Sequence, residues 1–201
     1  DVSLEYAKAA PEDVLIKITV CNRGPAAAIL HVLPTLWFRN TWSWAEGGSK
    51  PVLKKVSSKR HAVIHARHTD PLFQKSLEDY LLYCEGDVPL LFTENESNNA
   101  RVFGTANASP YVKDGINNYL VHSDAQAVNP AQEGTKAAAH YQISVGNGEA
   151  QTIRLRLMGE TAKAPVEPFG DFDAVFEMRR TEADDFYAAI MPAAVNKDED
   201  R

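Results

Sequence analysis

The sequence has only two cysteines, Cys21 and Cys84, in 201 residues. Two cannot build the disulfide framework of a small secreted domain, and their separation matches no metal-ligand spacing. Two partly buried free thiols in a reducing compartment are expected, which places the protein in the cytoplasm; one structural disulfide is the alternative. Positive charge is also in deficit: Lys+Arg number 21 against Asp+Glu 27, a formal net charge of -6. That excludes the basic footprint needed to hold a nucleic-acid backbone or an anionic membrane surface. No apolar run approaches the ~18–20 residues that span a bilayer. The chain opens Asp1-Val2-Ser3-Leu4-Glu5, with neither an initiator Met nor a signal-peptide pattern, as expected of a piece of a longer polypeptide. Nucleophile elbow, phosphate loop, dinucleotide fingerprint and zinc-protease motif are all missing, so no cofactor is expected. Gly104-Thr105-Ala106 and Gly134-Thr135-Lys136 are loops that do not match a Walker motif. Lys136 could meet an anion at the mouth of a strand, but a solvated lysine is the simpler reading.

What the chain does have is a period of two. Val14, Ile16, Ile18 and Val20 alternate with Leu15, Lys17 and Thr19, the mark of a strand with one dry face. Asn22-Arg23-Gly24-Pro25 supplies turn chemistry. Ala28 to Phe38 is again extended, but Pro34 has no N–H to donate, so that strand is at an edge, bulged or broken there. Val52 to Val56 and Ala62 to Ala66 form a further pair. Tyr80 to Cys84 and Val88 to Phe92 flank a short loop and read as a hairpin. Ala139, Tyr141, Ile143 and Val145 read as one arm of a last hairpin, Ile153, Leu155 and Leu157 as the other, with Arg154 and Arg156 on the opposite face.

Residues 93–128 differ: they are rich in Asn, Gly, Ser and Asp, and only Arg101-Val102-Phe103 and Tyr119-Leu120-Val121 look extended. Such a stretch is usually functional or ordered by a neighbour. After a Pro-containing linker the period becomes helical, with Phe172, Val175, Phe176, Ala183, Phe186, Tyr187 and Ile190 at three- and four-residue steps, Asp171 as N-cap and Pro192 as the stop. The expected fold is mainly β: a two-sheet antiparallel β-sandwich (1–158) of eight to ten strands in consecutive hairpins, a linker (159–170), a C-terminal amphipathic helix (171–191) and a charged tail (192–201).

Three groups of side chains invite a chemical reading. Trp37-Phe38-Arg39-Asn40-Thr41-Trp42-Ser43-Trp44 holds all three tryptophans. Indole faces stack on sugar C–H surfaces and Asn or Arg bonds hydroxyls, so the block could be a carbohydrate platform. The alternative is packing, with Trp37 and Phe38 in the core and the other two pinning a loop. Glu94 and Glu96 lie two residues apart and share a face if extended. Glycosidic hydrolysis wants carboxyls flanking the bond about 5–9.5 Å apart, which neighbours on one face fit poorly. Loop capping and contact with another domain suit them better. On a strand His61 and His65 share a face and His68 does not, so no zinc site is expected of the three. His122 and His140 read as isolated hydrogen-bonding residues.

Blocks along nearly the whole chain carry a family resemblance. They include Leu4-Glu5-Tyr6-Ala7-Lys8-Ala9, Pro11-Glu12-Asp13-Val14-Leu15-Ile16, Asn22-Arg23-Gly24-Pro25 and Leu33-Pro34-Thr35-Leu36-Trp37-Phe38-Arg39-Asn40-Thr41-Trp42. Further on come Phe92-Thr93-Glu94-Asn95-Glu96, Val112-Lys113-Asp114-Gly115-Ile116-Asn117-Asn118-Tyr119 and Gly134-Thr135-Lys136-Ala137-Ala138-Ala139-His140-Tyr141. Together they resemble the N-terminal region of bacterial glucosidase-like proteins of glycoside hydrolase family 63, the processing mannosyl-oligosaccharide glucosidase family. The resemblance implies a non-catalytic N-terminal β-sandwich, with the acid and base of inverting hydrolysis on an (α/α)6 toroid beyond Arg201. No catalytic residue maps onto this chain. The implied partner is that catalytic domain, with an oligosaccharide as the further candidate, and Trp42, Trp44, Asn95 and Asn118 are the candidates for a wall of the active-site mouth. A stand-alone carbohydrate-binding module using the Trp block is the rival reading, and a purely structural interaction domain the third.

Overall fold

A computed structural model of the chain describes residues 1–44, 49–68, 79–162 and 167–191. The charged tail 192–201 and the stop at Pro192 lie outside the described residues. The fold is mainly β, with twelve strands among the described residues: β1 (Val2–Ala10), β2 (Asp13–Cys21), β3 (Ala28–Val32), β4 (Thr35–Trp37), β5 (Val52–Val56), β6 (Ala62–Arg67), β7 (Tyr80–Cys84), β8 (Leu90–Thr93), β9 (Glu133–Gly134), β10 (Lys136–Ala139), β11 (Tyr141–Val145) and β12 (Ala150–Gly159). Among the described residues three helices, α1 (Asn99–Phe103), α2 (Gly115–His122) and α3 (Phe172–Ile190), complete it with a 3-10 turn at Ala125–Ala127.

Seven strands form an antiparallel sheet in the order β1-β2-β12-β7-β6-β5-β9. The facing layer consists of two ladders, β4-β10-β8 and β11-β3, joined end to end. Pro34 explains the joint. Its missing N–H ends β3 at Val32 and the strand resumes at Thr35, while the partner strand breaks at His140; the Ala139 N–H donates to the Pro34 carbonyl at 3.0 Å across the gap. Between the layers lies the main core. Ile18, Val20, Leu53, Ile64, Leu82 and Leu155 come from the large sheet, and Leu90, Phe92, Ala137, Tyr141 and Val145 from the smaller layer. Phe92 is fully buried, and a side chain of that kind contributes about 1.5–3 kcal/mol by leaving water.

Pairing is less local than hairpin reading suggests. β7 and β8 do not pair: β7 lies between β12 and β6, whereas β8 pairs β10 in the other layer. The loop between them crosses from one sheet to the other and is fastened there, with the Tyr141 hydroxyl donating to the Glu85 carbonyl and the His140 N–H to that of Pro89. Likewise β11 pairs β3, and β12 pairs β2 and β7, so the chain around Gly146-Asn147-Gly148 changes sheets instead of closing a ladder. Residues 93–128 are helical where they look extended in sequence: Arg101-Val102-Phe103 belongs to α1 and Tyr119-Leu120-Val121 to α2. Local capping decides α1. The Asn98 side chain accepts the Arg101 N–H, and Gly104, at φ 69°, closes the C-terminus in the left-handed region.

Helix α3 lies on the outer face of the large sheet. Phe172, Val175 and Phe176 pack with Phe169 on Ala7 and Leu15. Beyond Arg180 the helix leaves the sheet, and Phe186, Tyr187 and Ile190 are exposed. Asp171 stands at the N-cap position but caps nothing with its side chain; its carboxylate is drawn to Arg156 instead. The outer side of β12 is therefore covered. Arg156 is buried there, and Arg154 bonds Glu85 with its guanidinium over the rings of Phe169 and Phe172.

Candidate functional site

The Trp-rich block leaves the end of β4 and folds against the loop that follows β8. Phe38 anchors it: its N–H donates to the Thr135 carbonyl at 3.0 Å, and its carbonyl accepts Asn95 Nδ2 at 2.9 Å. Trp42 is buried, and its indole Nε1 donates to Glu96 Oε1 at 3.0 Å. Trp42 and Asn95 are thus brought together as the staples that hold this loop. Trp44 is 68% exposed, with the Arg39 guanidinium 5.2 Å from its ring centroid. Trp37, which the packing alternative would put in the core, is 55% exposed, because its place on the short β4 turns it outward. Asn118 sits apart on α2, where its backbone carbonyl accepts the N–H groups of Ser123 and Asp124.

Glu94 and Glu96 do share one side. Lys50 Nζ lies 3.1 Å from Glu94 Oε1 and 3.2 Å from Glu96 Oε1. Burial alone would depress the Lys50 ammonium, but its bonds to both carboxylates outweigh this and raise its pKa. Thr135 adds a further tie, donating its hydroxyl to Glu94 Oε2 at 2.7 Å while its oxygen accepts the Asn95 N–H at 2.8 Å. Two carboxylates on one ammonium form an ion cluster that orders a loop; a bond-flanking acid and base would have to face each other across open space. Nearby, Asn98 Nδ2 and Arg101 both donate to Asp114, closing the same loop upon the start of α2.

Lys136 and His140 both depart here from what their sequence context suggests: neither a solvated lysine nor an isolated histidine is found. Lys136 is partly buried and donates to the Lys113 carbonyl at 2.8 Å; burial and the Lys113 charge lower its pKa although Asp114 opposes them. His140 is not isolated: it stacks on His31 at the joint in the smaller layer, with Nε2 2.7 Å from His31 Nδ1. Burial and the neighbouring imidazole lower its pKa. No local signal points to this pair, since His31 lies on β3 and His140 at the break between β10 and β11, far apart in sequence. His61 accepts the Gly86 N–H on Nδ1 and meets Glu167 at 2.8 Å through Nε2, and His68 stands edge-on to Phe38. These two rings are engaged apart from His65.

Two apolar concavities open beside the block. One, of about 210 Å³, is lined by Trp37, Phe38, His68, Tyr80 and Leu157. The larger groove, about 390 Å³, runs between the inner face of β1 and β2 and the segment 32–36. It exists because the seven-stranded sheet overhangs the smaller layer. Ala7 and Ala9 of β1 face α3, which leaves Val2, Leu4 and Tyr6 on the inner side, each more than half exposed. Cys21 and Cys84 are free thiols, Cys84 fully buried. Among the described residues no helix is long and apolar enough to cross a membrane.

No family model matches the chain. Over 230 aligned residues it is 30% identical to an uncharacterized protein of the yeast Saccharomyces cerevisiae, an alignment that covers 98% of this chain and 21% of the yeast protein. The chain therefore spans about a fifth of that relative's length.

Proposed function

We propose that this chain is a non-catalytic β-sandwich domain of a larger inverting glycoside hydrolase resembling family 63, acting on α-linked glucosides or related sugars, and that it docks on the catalytic domain of the same polypeptide. The observation that supports this reading best is the overhang of the large sheet. Val2, Leu4 and Tyr6 extend the inner apolar face past the edge of the smaller layer, at 62%, 52% and 64% exposure. A row of large apolar side chains at that exposure suits contact with another domain. The polar loop held by Lys50, Glu94, Glu96 and Trp42 stands apart from this face, beside β5 and β9 at the other edge of the large sheet. The carboxylates of this loop are occupied with one lysine, in keeping with a chain that supplies no acid–base pair.

The test uses the purified chain. It should hydrolyse no α-glucoside and should bind no maltose-type oligosaccharide in calorimetry, while the separately expressed catalytic portion of its parent polypeptide should associate with it. Replacing Leu4 and Tyr6 with Ser should abolish that association and leave the circular dichroism unchanged. Turnover by the pure chain would refute the proposal. Saturable glycan binding lost on Trp44→Ala would instead establish the rival carbohydrate-binding module, which the exposure of Trp37 and Trp44 favours.

A further inference from the structure

The ends of three neighbouring strands bring together one imidazole and two carboxylates. His65 belongs to β6, Asp79 immediately precedes β7, and Glu160 immediately follows β12. Register places them on one face. Ala66 pairs Tyr80 and Tyr80 pairs Gly159, so Asp79 stands opposite both Arg67 and Glu160, and His65 is two residues along the strand from Arg67. The backbone holds the strand ends close, with the Glu160 N–H donating to the Asp79 carbonyl at 2.7 Å. Since Ala62, Ile64 and Ala66 point into the core, His65 points to the outer side.

The ligand-capable atoms of His65, Asp79 and Glu160 all lie within 4.8 Å of one another. His65 Nε2 is 3.2 Å from Asp79 Oδ2. That atom is shut off from solvent, yet it makes no hydrogen bond of proper geometry among the described residues. A buried imidazole nitrogen in that position is costly unless something else satisfies it. A metal ion would do so. Adjacent ligands bound at about 2.0–2.2 Å lie about 2.8–3.1 Å apart around an octahedral centre and about 3.3–3.6 Å apart around a tetrahedral one, a span that includes the 3.2 Å His65–Asp79 separation. Glu160 is exposed and can close the remaining distance by changing rotamer. Arg67 Nε approaches Asp79 Oδ2 at 3.7 Å, but its side chain is 57% exposed and can swing to solvent at little cost.

We propose that His65, Asp79 and Glu160 form a site for a divalent transition-metal ion, Zn2+ foremost. One nitrogen and two carboxylate oxygens suit zinc, whereas calcium and magnesium favour oxygen ligands throughout. Water completes the coordination on the exposed side. The ion ties together the ends of β6, β7 and β12, the middle of the large sheet. Ligands drawn from positions 65, 79 and 160 leave no short motif in sequence.

The experiment treats the intact 201-residue chain with chelator, dialyses it, and titrates ZnCl2 by calorimetry and CoCl2 by visible absorption. One ion per chain is expected, with Kd of about 1 µM or tighter. A hundredfold excess over Kd should raise Tm by about 5–10 °C. His65→Ala and Glu160→Gln should each weaken binding at least about a hundredfold, since even outer-shell partners of a metal are worth 10–100-fold. His122→Ala should change nothing. Circular dichroism checks folding, and the exposed Glu160→Gln carries the test alone should His65→Ala fail to fold. No saturable binding, which would leave an ordinary His–Asp ion pair, overturns the site. So does binding that Glu160→Gln leaves at full affinity.

Discussion

Replacing Arg156 with Met removes the centre of the network that fastens the linker and α3 to the sandwich. Arg156 Nε and Nη2 donate to the two oxygens of Asp13 at 2.8 and 2.6 Å, and Nη1 reaches the Pro168 carbonyl at 2.8 Å and Asp171 Oδ1 at 2.5 Å. Arg156 and Asp13 expose 3% and 8% of their side chains, whereas Asp171 is 46% exposed. The cost therefore resides in Asp13. Its bonds to Arg156 outweigh the burial of the guanidinium and push the arginine pKa up. Without that partner a carboxylate stays buried beneath the helix. Breaking one side of a buried ion pair costs about 3–5 kcal/mol. The Asp171 contact, open to water, adds at most about 1 kcal/mol. For a chain of this size the loss lowers Tm by about 6–20 °C. Urea unfolding, followed by circular dichroism with and without the substitution, measures it. The double variant Asp13→Asn, Arg156→Met should regain at least half of the lost stability, since no unpaired charge remains. A single variant costing under about 1 kcal/mol, or a double variant no better than the single, would refute this account.

Trp42→Phe should lower stability by about 1–3 kcal/mol by removing the indole bond to Glu96, whereas Trp44→Ala should stay within about 0.5 kcal/mol, both read from urea midpoints. Burial pushes the Cys84 thiol up to about 12, so a disulfide reagent at pH 8 should label one thiol per native chain, Cys21, and two only in denaturant. Rapid labelling of both would contradict the packing around β7. Burial and His31 depress the His140 pKa from its ordinary 6.5, so the fold favours the neutral ring. The stability this contributes is complete above about pH 6.5 and is lost as pH falls through the depressed value. His140→Asn should flatten the acid side of a Tm–pH curve between pH 7 and 5; an unchanged curve would count against the pair.

Much of the scaffold is legible in the residue pattern because its rules are local. The alternation of Val14, Ile16, Ile18 and Val20 places a strand with a dry face, and β2 buries Ile18 and Val20 in the core. Pro34 breaks its strand for want of an N–H, and the three- and four-residue spacing of Phe172, Val175 and Phe176 places α3 on the sheet. Residues 101–103 and 119–121 mislead because three residues are too few to show a period; the caps at Asn98 and Gly104 decide the first of them.

Strand partners are a matter of tertiary structure alone. β12 lies beside β2 and β7, and β11 beside β3, through contacts between residues more than 60 positions apart, which no nearest-neighbour pattern encodes. Alternation in β12 determines that Arg154 and Arg156 share a face; only the docking of α3 and the linker makes that face dry. The same holds for the aromatic block, where composition alone groups three indoles and the packing assigns Trp42 to a buried bond and Trp44 to the surface. Local spacing fixes which side of an element a residue is on, and the folded chain decides what that side meets.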